Sequence, residues 1–309
     1  MPTEQTIIVR DRPQTPRLSV LTPFYRYDPS AMLKRLANAP AGVEFVLFDD
    51  GSASAELIAN VMSAAAMTGA PSRIIISETN LGRARARNRL IAEARGRHVL
   101  FLDADMLPDT SAFLSVWLGI IATQEPRVAF GGLSLAHAEP TPETALHYAL
   151  FGRSDCAPAR RRSRRSAQAT ASSNLLVERD FLLAHPFDDH FTGWGFEDID
   201  WALDVSRVEE IMHVDNPATH AGLDDVSTLM RKSAEAGPNF GRLARKHPMR
   251  VKSFAAHRVA SALRASPARK TQRRIYSWLA RDPRGVAPMR VRCAALKLLR
   301  ASHYAEYLP

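Results

Sequence analysis

Short apolar runs alternate with longer amphipathic stretches along the first hundred residues. Each apolar run is typical of a buried strand, and there are four: 17–24, 43–48, 73–77 and 98–102. The stretches between them have helical spacing: one begins after Ser30, one covers 55–67, and one runs from Asn80 to about Arg95. Strands that alternate with helices predict an α/β fold, with a mostly parallel central sheet and helices on both faces.

Polar residues follow the ends of these strands. Pro23, Asp50, Asn80 and Asp105 each lie at or just beyond the end of an apolar run. Parallel sheets bind their ligands at the carboxyl edge of the strands, so this edge is the expected site. No G-x-G-x-x-G pattern follows the first strand, which argues against a dinucleotide-binding dehydrogenase.

Charge divides the chain into two regions. The 309 residues, 46% of them hydrophobic, are enough for one large α/β domain with an appendage. From Phe240 onward there are 17 Lys and Arg against 2 Asp and Glu, whereas residues 1–239 hold 24 basic and 30 acidic residues. We expect a catalytic domain over 1–225 and a basic helical extension over 226–309.

The basic extension suggests an anionic partner. It can be drawn to anionic lipid or to nucleic acid, or it can be a solvated helical face. The longest apolar run, 113–122, is too short to span a bilayer, and residues 1–5 lack a signal pattern. The sequence therefore predicts a cytoplasmic protein, and peripheral attachment to the inner face of the membrane is the hypothesis for the extension.

Two further features carry no predicted chemistry. The Arg-rich run 157–166 is polar and charged, so a mobile loop is expected there. Cys156 and Cys293 lie far apart, which indicates neither a disulfide framework nor a zinc site.

Asp103-Ala104-Asp105 directly follows the apolar run that ends at Leu102. Two carboxylates this close repel each other unless a cation or hydrogen-bond donors compensate. At the end of a strand they can hold a divalent cation against a diphosphate, so we expect metal binding here.

Asp49-Asp50-Gly51-Ser52 ends the second apolar run and has two interpretations. Asp and Gly favour β-turns without any functional role. At the end of a buried strand, a carboxylate can instead accept hydrogen bonds from a nucleobase imide or a ribose hydroxyl, and we favour this second interpretation.

Gly193-Trp194-Gly195-Phe196-Glu197-Asp198 lies about ninety residues beyond the first acidic motif. Acidic residues also favour helix N-termini, so this motif can be no more than the start of a helix. The glycines beside Trp194 favour an active site, because they let the backbone approach a ligand while the indole offers a platform for a sugar ring. A carboxylate here can remove the proton of a sugar hydroxyl.

His220 follows a short apolar segment, 211–214, and a turn. A neutral imidazole there can complete a coordination shell begun by Asp105. His213, on the segment itself, is the competing candidate with an ordinary structural role.

Together these motifs resemble the GT-A glycosyltransferases of family 2, and the later segment is similar to the galactosyltransferase and chondroitin-polymerase type. The resemblance covers about residues 17–225 and includes an Asn-x-Gly-x-x-x-Ala-Arg-Asn signature at 80–88. It implies that Asp105 ligates Mn²⁺ or Mg²⁺ directly and that His220 is a further ligand. Asp198 would be the general base, and Glu197 would position a sugar.

The resemblance also implies the binding residues. The donor residues would be Thr22, Pro23, Asp50, Asn80, Arg87, Asp103 and Ala104. On the acceptor side, Trp194 and Gly195 would bind the sugar, and Asp103 would join Asp105 at the metal.

The predicted function is metal-dependent, inverting transfer of a hexose or N-acetylhexosamine to a glycan or lipid-linked acceptor hydroxyl in polysaccharide or glycoconjugate synthesis. The resemblance favours a uridine diphosphate sugar as donor. A retaining mechanism, a nucleotidyltransferase and a non-catalytic basic protein that binds membrane or nucleic acid are the alternatives. We expect no nucleic-acid partner, because no aromatic-rich basic platform is present.

Overall fold

The computed structural model describes residues 3–11 and 15–309. Met1 and Pro2, the first residues of the segment that lacks a signal pattern, lie outside this part. A mixed sheet of eight strands forms its centre. Its strands, in spatial order, are β1 (Glu4–Arg10), β4 (Ser72–Ser77), β3 (Val43–Asp49), β2 (Leu18–Phe24), β5 (His98–Leu102), β9 (Asn174–Glu178), β7 (Val128–Phe130) and β10 (Met212–His213). A second sheet joins β6 (Met106–Pro108), β11 (Ala218–His220) and β8 (Leu133–Ser134).

The central strands β4, β3, β2 and β5 are parallel, as the sequence predicts. β1 pairs antiparallel with β4 at one edge, and β9 runs antiparallel between β5 and β7. β2 and β3 are covered on both faces, which explains why they read as continuous apolar runs. Near the start of β3, the buried Glu44 carboxylate accepts hydrogen bonds from Ser19 Oγ at 2.6 Å and Arg73 Nη1 at 2.8 Å.

Helices cover both faces of the sheet and form the whole C-terminal part. They are α1 (Ser30–Arg35), α2 (Ala55–Met67), α3 (Arg83–Glu93), α4 (Phe113–Gln124), α5 (Ala145–Ser154), α6 (Ala159–Arg162), a 3₁₀ helix (Ser163–Ala169), α7 (Arg179–Ala184), α8 (Glu197–Val205), α9 (Val226–Lys246), α10 (Pro248–Val251), α11 (Ala255–Arg264), α12 (Arg269–Arg281) and α13 (Met289–Tyr304). No helix within 3–11 and 15–309 has the length and apolar character needed to cross a bilayer.

The C-terminal helices share the core of the sheet. Phe240 of α9 and Tyr304 of α13 belong to the same apolar cluster as Phe101 of β5 and Leu175 of β9. The helical extension predicted from the sequence is therefore present, and it is packed against the α/β part rather than hanging from it.

The α/β prediction is confirmed, and several predicted elements match closely, including helix 55–67 and strand 98–102. The cap predicted at Ser30 is wrong by one residue, since Pro29 occupies the N-cap position and Ser30 is the first helical residue. β1 and the antiparallel β9 were not predicted.

The mobile loop expected at 157–166 is wrong. This segment forms α6 and the start of the 3₁₀ helix, and Arg162 is buried within it. The Arg162 guanidinium donates to the Val214 carbonyl at 2.6 Å and lies 5.2 Å from the centre of the Phe130 ring. Local composition could not reveal that Arg162 is buried, because its charge is satisfied by carbonyl groups that are distant in sequence.

Candidate functional site

The carboxyl ends of the neighbouring strands β3, β2 and β5 bring the predicted donor residues to one edge of the sheet. Thr22 and Pro23 lie near the end of β2, directly opposite residues of β3, and Asp103 follows β5. Thr22 is buried, and Pro23 is half-buried. The predicted donor residues at these strand ends therefore do share one edge of the sheet, and their binding role stays a prediction.

Asp50 fixes the turn that leads into α3. Its Oδ1 accepts from the Leu81 N–H at 2.5 Å, and its Oδ2 accepts from the Gly82 N–H at 3.0 Å. Asn80 Nδ2 in turn donates to the Asp50 carbonyl at 3.0 Å. Burial raises the pKa of Asp50 against the lowering effect of the two amide bonds. The carboxylate thus has a structural role in the turn, and its remaining lone pairs are available to a ligand.

A buried guanidinium joins the two acidic motifs. Arg87 is 1% exposed; its Nη2 donates to Asp103 Oδ1 at 2.9 Å and its Nη1 donates to Glu197 Oε1 at 3.2 Å. Arg83, one turn earlier on α3, donates through Nε to Glu197 at 2.8 Å and reaches Asp103 at 3.5 Å. Burial opposes the charge of Glu197, but the two arginines leave its pKa lowered. Glu197 is therefore held ionised, and the contacts with the two arginines fix both carboxylates in place.

Asp105 faces His220 instead of the arginines. His220 Nε2 lies 3.3 Å from Asp105 Oδ2, and the Ala221 N–H donates to the Asp105 carbonyl at 2.9 Å. The backbone of Gly222 lies close to Asp105, because a Cβ added at Gly222 would clash with Asp105 Oδ2. Burial raises the pKa of Asp105 and lowers that of His220, but the contact between them reverses both shifts, so Asp105 is lowered and His220 raised.

The His220 ring is held by aromatic neighbours from α5. It stacks on Phe151 with ring centres 4.8 Å apart and meets the edge of His147 at 5.4 Å. Among the described residues, the buried His220 Nδ1 has no hydrogen-bond partner. The other candidate, His213, contacts Phe130, Ser166 and Arg162, and burial lowers its pKa to about 4.

The three predicted metal ligands do not all converge. Asp105 and His220 face each other, whereas Asp103 is bonded to Arg83 and Arg87. Clusters of three metal-ligating groups within 4.8 Å occur in the described residues at 188–190 and at Asp200, Asp204 and His247. Neither cluster includes the predicted ligands. The carboxylate oxygen of Asp105 suits either Mn²⁺ or Mg²⁺, whereas the imidazole nitrogen of His220 suits the softer Mn²⁺ better than Mg²⁺. Asp105 and His220 therefore fit Mn²⁺ best, as a partial ligand set.

The loop before α8 has an unusual backbone. Gly193, Gly195 and the non-glycine residue Phe196 all have positive φ, of 72°, 95° and 74°. Phe196 is held there by packing on Phe240 at 5.2 Å and Tyr304 at 5.5 Å between ring centres. A left-handed backbone at an aromatic residue persists only where its surroundings enforce it.

Asn239 of α9 fixes the same loop. Its Nδ2 donates to the carbonyl groups of Thr192 and Gly195, each at 2.9 Å, and approaches that of Trp194 at 3.4 Å. Lys232, two turns earlier on α9, lies with Nζ 5.9 Å from the centre of the Trp194 ring. The half-buried indole and Gly195 are thus presented by a loop that the C-terminal helices hold.

Asp198 lies in the first turn of α8, so the motif does begin a helix, and its interpretation as an active site stays a prediction. Asp198 Oδ1 accepts the Ile199 N–H at 2.8 Å, and the side chain lines a cavity of about 470 Å³. Burial, followed by the charge of Glu197, raises the pKa of Asp198 to about 6. This value suits a group that accepts a proton near neutral pH.

Sequence reasoning missed Arg83, Lys232 and Asn239. Arg83 had a usable signal, because it lies four residues before Arg87 and so on the same face of α3. Asn239 had none, since its partners are carbonyl groups more than forty residues away in sequence.

Comparison with known families gives a match over part of the chain. Residues 19–164 match the model of Glycosyl transferase family 2. This stretch therefore resembles a family 2 glycosyltransferase domain. The GT-A fold expected from the sequence is confirmed, and the family match supports the glycosyltransferase activity expected from the sequence. The similarity of the later segment to the galactosyltransferase type stays a prediction.

Two curated relatives match parts of this chain. Over 62 residues it is 44% identical to the amylovoran biosynthesis glycosyltransferase AmsB of Erwinia amylovora, covering 20% of this chain and 21% of AmsB. Over 156 residues it is 30% identical to the uncharacterized protein y4gI of Sinorhizobium fredii, covering 46% of this chain and 17% of y4gI. The matches thus span about a fifth of each relative's length.

Solved structures resemble this chain over nearly its whole length. The mannosyltransferase PcManGT of Pyrobaculum calidifontis, in complex with GDP-Man and Mn²⁺, has a TM-score of 0.60 at 16% identity, covering 96% of this chain and 88% of PcManGT. TarS of S. aureus in complex with UDP-GlcNAc has a TM-score of 0.53 at 16% identity, covering 94% and 90%. At this identity the likeness establishes the fold.

The Asn239 amide gives a test of the loop. We expect Asn239→Ala to lower kcat about 10- to 100-fold, because the loop that carries Trp194 and precedes Asp198 loses its anchor, and misplacement of about 1 Å can cost this much. KM for the donor should stay nearly unchanged. The rate of nucleotide release from a sugar nucleotide, measured at several donor concentrations, gives both kcat and KM. Asn60→Ala, which removes an exposed amide, is the control. An unchanged kcat would show that the loop does not need this anchor.

Proposed function

We propose that the enzyme is an inverting, metal-dependent glycosyltransferase. It moves a hexose or N-acetylhexosamine from a nucleotide diphosphate sugar to a hydroxyl of a glycan or lipid-linked acceptor in cell-surface polysaccharide or glycoconjugate synthesis. The observation that carries the proposal is Asp198, a carboxylate with a raised pKa in a cavity, beside a Glu197 that Arg83 and Arg87 hold ionised.

Asp198 is the proposed general base. It takes the proton of the acceptor hydroxyl as that oxygen attacks the anomeric carbon from the face opposite the leaving diphosphate. The anomeric bond to phosphate oxygen breaks as the new glycosidic bond forms, so one displacement inverts the centre. Glu197 is tied to two arginines, and we assign it the positioning of α8 and of Asp198 in preference to direct contact with sugar.

The donor lies at the strand edge in this proposal. Thr22, Pro23 and Asp50 bind the nucleotide, with Asn80 holding Asp50 in place. Asp103 and Ala104 border the diphosphate, and Arg87 acts through Asp103, because its guanidinium is buried. A uridine diphosphate sugar is the first donor to test, on the resemblance and on the UDP-GlcNAc complex of the similar TarS.

Asp105 and His220 are the residues that would hold Mn²⁺ or Mg²⁺, and Asp103 lies next to them in sequence. When bound, the ion neutralises the charge that grows on the leaving diphosphate. Trp194 and Gly195 are proposed to receive the acceptor sugar, with Lys232 steadying the indole.

A nucleotidyltransferase is the alternative enzyme class. It would also use carboxylates at the edge of an α/β sheet. The family 2 match and the separate base beside an aromatic platform favour sugar transfer. A retaining mechanism is also disfavoured, because Asp198 is assigned as the base for direct attack.

Asp198→Asn should abolish transfer while the affinity for donor nucleotide changes less than about twofold, since the amide keeps the shape but accepts no proton. Transfer rate and calorimetric donor binding are the two measurements. In the wild type, kcat/KM should fall about tenfold per pH unit below about 6 and level off above it, because only the ionised carboxylate is a base. Loss of donor binding in Asp198→Asn would refute its role as the base.

Asp105→Ala should remove the increase in donor affinity that Mn²⁺ produces, because His220 alone does not retain the ion. Calorimetric titration of UDP with and without Mn²⁺ measures this without any turnover. Asp180→Asn, at an exposed carboxylate, is the control. If Asp105→Ala binds UDP with the same metal dependence as the wild type, Asp105 is not a ligand.

We also propose that α12 attaches the protein to an anionic membrane surface. Ile275 and Trp278, three residues apart on one face, are 51% and 48% exposed, and Arg274 and Arg281 flank them. An apolar pair inside a basic helix is typical of interfacial binding. Such attachment would bring the enzyme to a lipid-linked acceptor.

Co-sedimentation with vesicles at low salt tests the attachment. The wild type should bind vesicles that contain anionic lipid and should not bind neutral vesicles. The double variant Ile275→Ala/Trp278→Ala should lose most of the binding to anionic vesicles. Ile8→Ala, at an exposed apolar residue of β1, should bind like the wild type. Equal binding to neutral and anionic vesicles would rule the proposal out.

A further inference from the structure

A second cavity, of about 790 Å³, lies between the 3₁₀ helix, the end of α8 and the helices α10 and α11. This volume is in the range of ligand pockets. Its walls carry five arginines and two glutamates: Arg164, Arg165, Arg207, Arg250, Arg258, Glu209 and Glu210. No residue assigned above to the donor, the metal or the acceptor sugar lines it.

Much of this positive charge is uncompensated. Within 3–11 and 15–309, the side chains of Arg164, Arg165 and Arg258 have no hydrogen bond or ion pair. The Arg250 guanidinium donates only to the Ser206 hydroxyl at 3.1 Å. One of the two glutamates, Glu209, is already paired with Arg127 at 3.3 Å. A concave surface with an excess of one sign concentrates the field and attracts ions of the other sign.

The basic cavity adjoins the cavity of the proposed base. Arg164, Arg165 and Gln168 line both cavities, and Asp198 lines the smaller one. An acceptor glycan that places a hydroxyl at Asp198 can therefore extend past Arg164 and Arg165 into the larger cavity. Arginine forks match carboxylate and phosphate oxygens in pairs, which suits this path to a charged glycan.

We propose that the acceptor is an anionic glycan, with a carboxylate or phosphate group near its growing end bound in the cavity of Arg164, Arg165, Arg250 and Arg258. The proposal rests on the proposed function, since it assigns Asp198 to the acceptor side. The donor diphosphate does not account for these arginines, because its proposed site at the strand edge shares no residue with either cavity.

Binding of defined oligomers to the full chain tests this inference. The probes are oligogalacturonate, which carries carboxylates, inorganic polyphosphate, and a neutral dextran oligomer, each titrated calorimetrically with saturating UDP and no divalent metal. We expect at least one polyanion to bind and the dextran not to. The polyanion that binds more tightly identifies the charged group as carboxylate or phosphate.

Two paired variants locate the site. Arg164→Gln/Arg165→Gln and Arg250→Gln/Arg258→Gln should each weaken polyanion binding about tenfold or more, because each removes two charge-assisted contacts. Arg153→Gln/Arg160→Gln removes the same charge from exposed positions outside both cavities and should bind within about twofold of the wild type.

Three results would overturn the inference: no binding of either polyanion, equal binding of dextran, or an equal loss in the control pair. Metal-dependent hydrolysis of nucleotide sugars by the wild type separates this inference from the proposed function. Hydrolysis without polyanion binding leaves the glycosyltransferase and removes the anionic acceptor. Polyanion binding at the arginines without hydrolysis of any nucleotide sugar leaves the anion site and removes the proposed function.

Discussion

The buried guanidinium of Arg87 connects the two halves of the site. It bridges Asp103, at the end of a central strand, and Glu197, at the start of α8. Removing one partner from such a buried pair typically costs about 3–5 kcal/mol, because the other charge is left uncompensated. The proposed donor edge and the proposed base on α8 therefore keep a fixed separation, which a single displacement between two bound substrates would require.

The C-terminal helices support the backbone next to the proposed base. Asn239 and Phe240 of α9 and Tyr304 of α13 hold the backbone of the loop before Asp198. The family match ends at residue 164, yet the loop with the aromatic platform depends on contacts well beyond it. Sequence motifs mark the reactive groups, while the helices that follow them set their positions.

The elements that could be predicted are those whose sequence pattern lies within the element itself. Strand 98–102 and helix 55–67 were predicted because apolar periodicity and local end signals are contained in the segments themselves. The helical structure around Arg162 was not predicted, because the partners of Arg162, Phe130 and Val214, are distant in sequence. At the site, the motifs led to Asp105, His220 and Asp198, but not to the arginine bridge that engages Asp103 or to Asn239. Those contacts exist only in the folded arrangement.

The packing of Phe196 against Tyr304 sets an order of events during synthesis. The strands that form the donor edge are made within the first hundred or so residues and can pair as they emerge. The loop at 193–196 meets Tyr304 only after about a hundred more residues have been added. A growing chain can thus shape the proposed nucleotide site early while the loop before Asp198 still lacks its aromatic support. That support is complete only when α13 has been made and has docked.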